Sequence, residues 1–209
     1  MANYSFQLVM QEEIKELLNV ESSAIGNIPV TKEYAAITEL LQNQIQQKGG
    51  KIIISGMGKA GQVANNMATT FSSTGSPAVF LHPSEAQHGD LGILRENDVL
   101  IVLSNSGKTR EILELVDLAR HLHPNIPVVL ITGNPDSELP GKAKHVLFTG
   151  NPREICPLGL TPTTSTTTMM VIGDILVVLL MKRIGFTAAD YARRHHGGYL
   201  GQQSRAKSH

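Results

Sequence analysis

Apolar and polar positions change rhythm once along this chain, near residue 50. Before it, Ile14, Leu17 and Leu18, then Tyr34, Ile37, Leu40, Leu41 and Ile45, return at helical spacing, interrupted by Gly26-Asn27 and Pro29. Two helices are expected there, with Gly49-Gly50 ending the second. Beyond it, short runs rich in Val, Ile and Leu occupy 51–55, 78–81, 99–104, 128–132 and 145–148. These runs are continuously apolar, as parallel strands covered on both faces require. Helical patterns fall between them, clearest at 60–71 and 111–121, and a long one at about 165–184 follows the fifth run. The order predicts a three-layer α/β/α sandwich with a five-stranded parallel sheet and N-terminal helices. One domain is expected over residues 1–201, helical over 1–50 and α/β over 51–201, before a polar tail at 202–209 that frays.

Composition narrows the partners. Lys plus Arg and Asp plus Glu each number 18, so no net positive charge recommends nucleic acid, although a local patch could still bind phosphate. The single Cys156 excludes an internal disulfide and suits a reducing cytoplasm, where it reads as a small buried thiol rather than a nucleophile. The opening residues MANYSFQLVM lack the basic segment and apolar stretch of a secretory signal. The most apolar run, 169–184, is broken by Asp174 and Lys182-Arg183 and reads as a buried helix too short to span a bilayer. The expectation is a soluble, cytoplasmic protein with no membrane and no nucleic acid as partner.

In a parallel α/β sheet the ligand sits outside the carboxyl ends of the strands. Three loops lie there. The first, Ser55-Gly56-Met57-Gly58-Lys59-Ala60-Gly61, matches G-x-G-x-x-G between a strand and a helix. A dinucleotide would also need an acidic residue at the end of the second strand, where Phe80-Leu81-His82 stands. The glycines are therefore read as permitting close approach of a smaller ligand, with Lys59 as a cation in the cleft. The second, Ser104-Asn105-Ser106-Gly107-Lys108-Thr109, gathers hydroxyls at a helix N-terminus, where donors converge and the dipole favours an anion. Gly107-Lys108-Thr109 imitates the end of a nucleotide P-loop, but Val102 stands where that motif needs glycine. A helix cap with spare serines is the alternative. The third loop, from His82 to Asp90, holds two histidines and two acids; its spacing fits no standard metal motif, so His88 is read as a partner for substrate hydroxyls and no metal is expected.

Two more clusters lie downstream. Asn151-Pro152-Arg153-Glu154 precedes Cys156-Pro157-Leu158-Gly159, a turn that gives Glu154 a defined direction. The hydroxyl-rich stretch 161–168 opens the long helix, as caps or as ligand contacts. Arg193-Arg194-His195-His196-Gly197-Gly198 collects cations and imidazoles before a flexible turn, which suits phosphate binding or acid/base work.

Together these segments resemble the sugar isomerase (SIS) domain, and more narrowly its arabinose-5-phosphate isomerase branch. The motifs are GMGKAG from Gly56, FSSTGSPAVFLHPSEAQHGDLG from Phe71, LSNSGKTREI from Leu103, EICPLGLTPTTSTT from Glu154 and ARRHHGGYLG from Ala192. The resemblance runs from about Leu40 to Gly201 and implies a flavodoxin-like sheet and a cytoplasmic homotetramer. It also implies an isomerase of ribulose 5-phosphate and arabinose 5-phosphate feeding synthesis of Kdo, a lipopolysaccharide and capsule sugar. It further implies that Lys59, Glu111, Glu154 and His195 are catalytic, with His195 supplied by an adjacent subunit. Ser104, Ser106 and Thr109 would bind the phosphate, His88, Gly75 and Ser76 would line the sugar pocket, and Ser55, Gly58 and Asn105 would complete the site. No cofactor is implied.

Moving one proton between C1 and C2 through an enediol needs a base for the carbon proton, an acid for the oxygens and donors for the oxyanion. Glu154 or Glu111 could be that base. Lys108 stands where relatives commonly carry Glu, and His196 where they carry Pro. The sequence stops at His209, where many relatives continue into paired CBS regulatory domains, so feedback is expected at the SIS site itself, for instance by CMP-Kdo. The alternatives are an isomerase of a hexulose or heptulose phosphate, against which Glu154-Ile155-Cys156-Pro157-Leu158-Gly159 argues, and a non-catalytic phosphosugar sensor. A sensor would carry a DNA-binding helix-turn-helix, and the first fifty residues are too few and not basic enough for one.

Overall fold

The structure is a computed structural model that describes residues 2–197, 199, 203 and 204. Apart from Gln203 and Ser204, the polar tail expected at 202–209 lies outside the described residues. Helix α1 (Ala2–Gly26) and α2 (Glu33–Leu41) come first, and a π-helical turn (Gln42–Gln47) extends α2. Then follow β1 (Ile52–Gly56), α3 (Gly58–Ser73), β2 (Ala78–Phe80), the short α4 (Pro83–Ala86), a 3₁₀ turn (Asp90–Ile93), β3 (Val99–Leu103) and α5 (Arg110–Leu122). The chain continues through β4 (Val128–Thr132), α6 (Glu138–Gly141), β5 (His145–Phe148), α7 (Thr164–Arg183) and α8 (Ala188–Arg194). The expected strands and three long helices are all present. The short α4, α6 and α8 carry too few turns to show a periodicity, and the sequence pattern did not reveal them.

All five strands are parallel, in the order β2-β1-β3-β4-β5. Alternate residues of the central strands face opposite layers. Ile52, Ile54, Ile101, Leu103, Val129 and Ile131 meet α2, α3 and α7. Ile53, Leu100, Val102 and Leu130 meet α4, α5 and α6. Two-sided burial explains the unbroken apolar runs. Helix α5 shows the matching helical rule, burying Ile112, Leu115, Val116 and Ala119 on one stripe.

The order reverses between β1 and β3, so the loops after these strands diverge and leave a crevice at their carboxyl ends. Strand β1 and helix α3 meet there backbone to backbone. A Cβ on Gly56 would lie 2.8 Å from the Ala60 carbonyl oxygen, and one on Gly61 would lie 2.6 Å from that of Gly56. These two glycines therefore close the β1–α3 joint; they are not the open surface for a ligand that the sequence suggested.

The long apolar helix also differs from expectation. Helix α7 has 20 residues, about 30 Å at the α-helical rise, so by length and composition it could cross a membrane. In this fold it is a core helix. Met169, Ile172, Leu176 and Leu180 are buried, and Gly173 meets Met67 of α3 so closely that a Cβ would lie 2.6 Å from its Cγ. On its far side α7 carries α1, whose Val9, Met10, Ile14 and Leu18 remain exposed.

Candidate functional site

A cleft of about 280 Å³ opens at the β1/β3 reversal, lined by Lys59 and Ala60 from α3, Ser104, Asn105, Ser106 and Thr109 from the loop after β3, and Ser165 and Thr166 from α7. Larger hollows exist elsewhere, one of them beside Tyr34 between α2 and α7. None of the loops at the β1/β3 reversal borders it, and the convergence of polar groups favours the smaller cleft.

The loop after β3 is a pre-formed turn. Ser104 is buried; its Oγ accepts the Gly107 amide at 3.2 Å and lies 2.8 Å from Thr109 Oγ1. Ser106 Oγ accepts the Lys108 amide at 3.2 Å, and the Ser106 carbonyl accepts Asn134 Nδ2 at 3.0 Å. Gly107 adopts φ +63°, and a Cβ there would lie 1.8 Å from Ser137 Oγ, so only glycine completes the turn. Because the Thr109 hydroxyl turns to Ser104, no side chain caps α5. An uncapped helix start ringed by hydroxyls, with Lys59 across the cleft, is an anion site.

The opposite wall is the start of α7, and its amides are already occupied. Glu154 Oε2 accepts the Thr163 amide at 2.7 Å, the Thr163 hydroxyl at 2.9 Å and the Ser165 amide at 3.2 Å. Burial opposes ionisation of Glu154, but these donors, with the Ser165 hydroxyl standing beside the carboxylate, outweigh it and hold the pKa below the ordinary carboxylate range. Glu154 is thus an ionised cap directly behind the Ser165 wall of the cleft. Glu21 of α1 braces the same loop, because Thr164 Oγ1 donates to Glu21 Oε1 at 2.8 Å and accepts the Ile155 amide at 3.1 Å.

The predicted residues therefore divide. Lys59, Ser104, Asn105, Ser106 and Thr109 line one cleft, with Gly58 next to it in sequence and Glu154 just behind its wall. Ser55 is buried in β1, and its hydroxyl donates to the Leu81 carbonyl at 2.6 Å, which ties two strand ends together and leaves nothing for a ligand. Glu111 sits in the first turn of α5, half-buried and outside the cleft lining. His88 is exposed after α4, also outside it. Among the described residues no group of three or more His, Cys, Asp or Glu could hold a metal ion.

Gly75, Ser76 and the end of α8 lie by edge strand β2 at its amino end, the opposite end of the sheet from the cleft. Ser76 precedes β2 and receives Gln46 Nε2 at 3.4 Å, and a Cβ on Gly75 would lie 3.7 Å from Arg194 of α8. The 16 residues of α3, about 24 Å of helix, separate this end from Lys59. His195 follows directly, stacked on Tyr191 with ring centroids 3.7 Å apart. Within one chain these residues do not reach the cleft that holds Lys59.

Cys156 departs from the buried thiol expected. It is only half-buried, in the loop between Glu154 and α7. The Thr161 hydroxyl, then the amides of Thr161, Leu160 and Leu158, stabilise its thiolate and bring its pKa down to about 6. Sequence reading also passed over Ser165 and Thr166 as individual site residues. The signal was the hydroxyl-rich run itself; which of its members face the cleft depends on how α7 is rotated.

The SIS domain family matches residues 44–179. The arabinose 5-phosphate isomerase KdsD of Salmonella typhi is 42% identical over 195 residues, 92% of this chain and 58% of the relative, so the chain spans under two thirds of that protein. Among solved structures, a Bacteroides fragilis protein assigned as a phosphosugar isomerase involved in capsule formation is 62% identical, with a TM-score of 0.90 over 91% of this chain and 99% of that one. An Escherichia coli CFT073 protein in complex with arabinose 5-phosphate is 32% identical, with a TM-score of 0.83 over 90% of this chain and 98% of that one. The sheet order, the phosphate-sized cleft at its reversal and these likenesses agree: the chain belongs to the SIS domain family.

Proposed function

We propose that this chain is an aldose–ketose isomerase that interconverts ribulose 5-phosphate and arabinose 5-phosphate, supplying a pathway to Kdo. The observation that carries this is the pairing, across one cleft, of an uncapped α5 start ringed by Ser104, Ser106 and Thr109 with a wall backed by ionised Glu154. The phosphate seats on the α5 turn, where hydroxyls and the helix dipole favour it. The sugar then extends towards α7. Glu154, kept ionised by the donors on Oε2, takes the C1 proton of the ketose on Oε1, while Lys59 stabilises the oxyanion at C2; a proton exchanged with solvent on Glu154 is delivered to C2, and the O1 proton passes to O2, giving the aldose. Glu111, in the first turn of α5, is the other carboxylate assigned to the site.

His195 serves the cleft of a neighbouring subunit in a cytoplasmic homotetramer, where it completes a sugar pocket lined by His88, Gly75 and Ser76. The distance between α8 and Lys59 supports this, as do the exposed apolar residues of α1. Feedback acts at the same cleft through an activated sugar such as CMP-Kdo, which the exposed Lys108 beside the anion turn would favour. Unchanged rates at saturating CMP-Kdo would sink that part alone.

The experiment is incubation with ribulose 5-phosphate in D₂O without added metal or cofactor. Arabinose 5-phosphate carrying deuterium at C2 is expected. Binding of the phosphosugar without turnover would replace the isomerase with a sensor.

A further inference from the structure

Ser165 carries an anomaly that its neighbours do not. The residue is 1% exposed and lines the cleft, and its hydroxyl has only the Glu154 carboxylate beside it, so the Oγ lone pairs receive no donor. Its backbone is fully used, the amide donating to Glu154 and the carbonyl accepting the Thr168 hydroxyl at 2.9 Å. A buried hydroxyl that can donate but finds nothing to donate to it is half satisfied, which leaves acceptor capacity at the cleft.

The two walls cannot bind the same end of a phosphosugar. The start of α5 is uncapped and open to an anion, whereas the start of α7 already holds the Glu154 carboxylate, which repels a phosphate. Ser165 therefore faces the sugar end. We infer that Ser165 is a substrate-binding residue whose hydroxyl accepts a hydrogen bond from a sugar hydroxyl, orienting the carbon chain towards Glu154. The direction follows from the neighbouring carboxylate, which draws the hydroxyl proton to itself and leaves the Oγ lone pairs facing the cleft. This inference rests on the phosphosugar reading of the cleft and adds a contact that measures the sugar rather than the phosphate.

The test compares wild type with Ser165→Ala in three measurements: apo melting temperature, affinity for inorganic phosphate and affinity for arabinose 5-phosphate. Ser165→Ala is expected to melt cooperatively, within a few degrees of wild type, and to bind inorganic phosphate unchanged. It should bind arabinose 5-phosphate about tenfold or more weakly, with a matching rise in KM. Ser165→Cys, with a weaker acceptor, should fall between. Unchanged arabinose 5-phosphate affinity would overturn the inference. So would an equal loss for inorganic phosphate, which would mean that the side chain only shapes the cleft, or loss of the cooperative melt, which would make it structural. The isomerase reading fails separately, if wild type binds arabinose 5-phosphate but does not form it.

Discussion

Glu154 Oε2 accepts the amide of Thr163 at 2.7 Å, and this one bond joins a cleft carboxylate to the start of the longest core helix of the sandwich. The same side chain thus caps α7 and stands behind the wall of the cleft. The donors that make it a good cap also keep it charged, and a charged carboxylate is the form able to take a proton.

Glu154→Gln separates the two roles. The native pKa is depressed, so the stabilisation from ionised Glu154 is complete above the unfolded carboxylate pKa of about 4.3 and is lost as pH falls through the lower native value. Replacing it with an amide should flatten that acid-side loss in thermal melts and cost about 1 kcal/mol at neutral pH. Turnover should fall by about 10²–10⁴. A variant that keeps full activity would remove Glu154 as the base.

Lys59→Ala and His195→Ala should each be inactive, and mixing them should recover activity. If the cleft joins Lys59 of one subunit with His195 of another, roughly a quarter of the sites in an evenly mixed oligomer carry both native groups. Recovery after co-refolding, read as ribulose 5-phosphate turnover, is the expected result; no recovery in a mixed oligomer would confine each site to one chain.

The anion turn depends on Gly107. With φ at +63° and Ser137 Oγ where a Cβ would go, Gly107→Ala should cost about 1–2 kcal/mol for the left-handed backbone alone, and more for the collision. Affinity for inorganic phosphate should drop with it. Adding Ser137→Gly should restore part of the stability, as a calorimetric comparison of the two variants would reveal.

Cys156 should be alkylated by iodoacetamide with a half-maximal rate near pH 6, well below an ordinary thiol. Thr161→Val removes the hydroxyl that contributes most, and should move that midpoint upward. An unmoved midpoint would mean that Thr161 does not hold the thiolate.

The sequence by itself determined the sheet and its covering helices. Two-sided burial leaves an unbroken apolar run, so 99–104 and 128–132 announce central strands without any tertiary information. It also determined the hydroxyl turn at Ser104–Thr109, because a strand end followed by an amphipathic helix brackets it. Tertiary structure decided what each side chain faces. Ser55 and Gly61 belong to a motif that reads as ligand-binding, yet one is tied to Leu81 and the other packs on Gly56. Glu154 reads as a free carboxylate and is a helix cap, while Ser165 is the member of a serine and threonine run whose buried hydroxyl stands between that carboxylate and the cleft. Gly75 and His195 read as site residues, and about 24 Å of α3 separates their end of the sheet from Lys59. Periodicity records which residues are buried. It does not record the rotation of α7 or the direction of α3, which set what the buried groups meet.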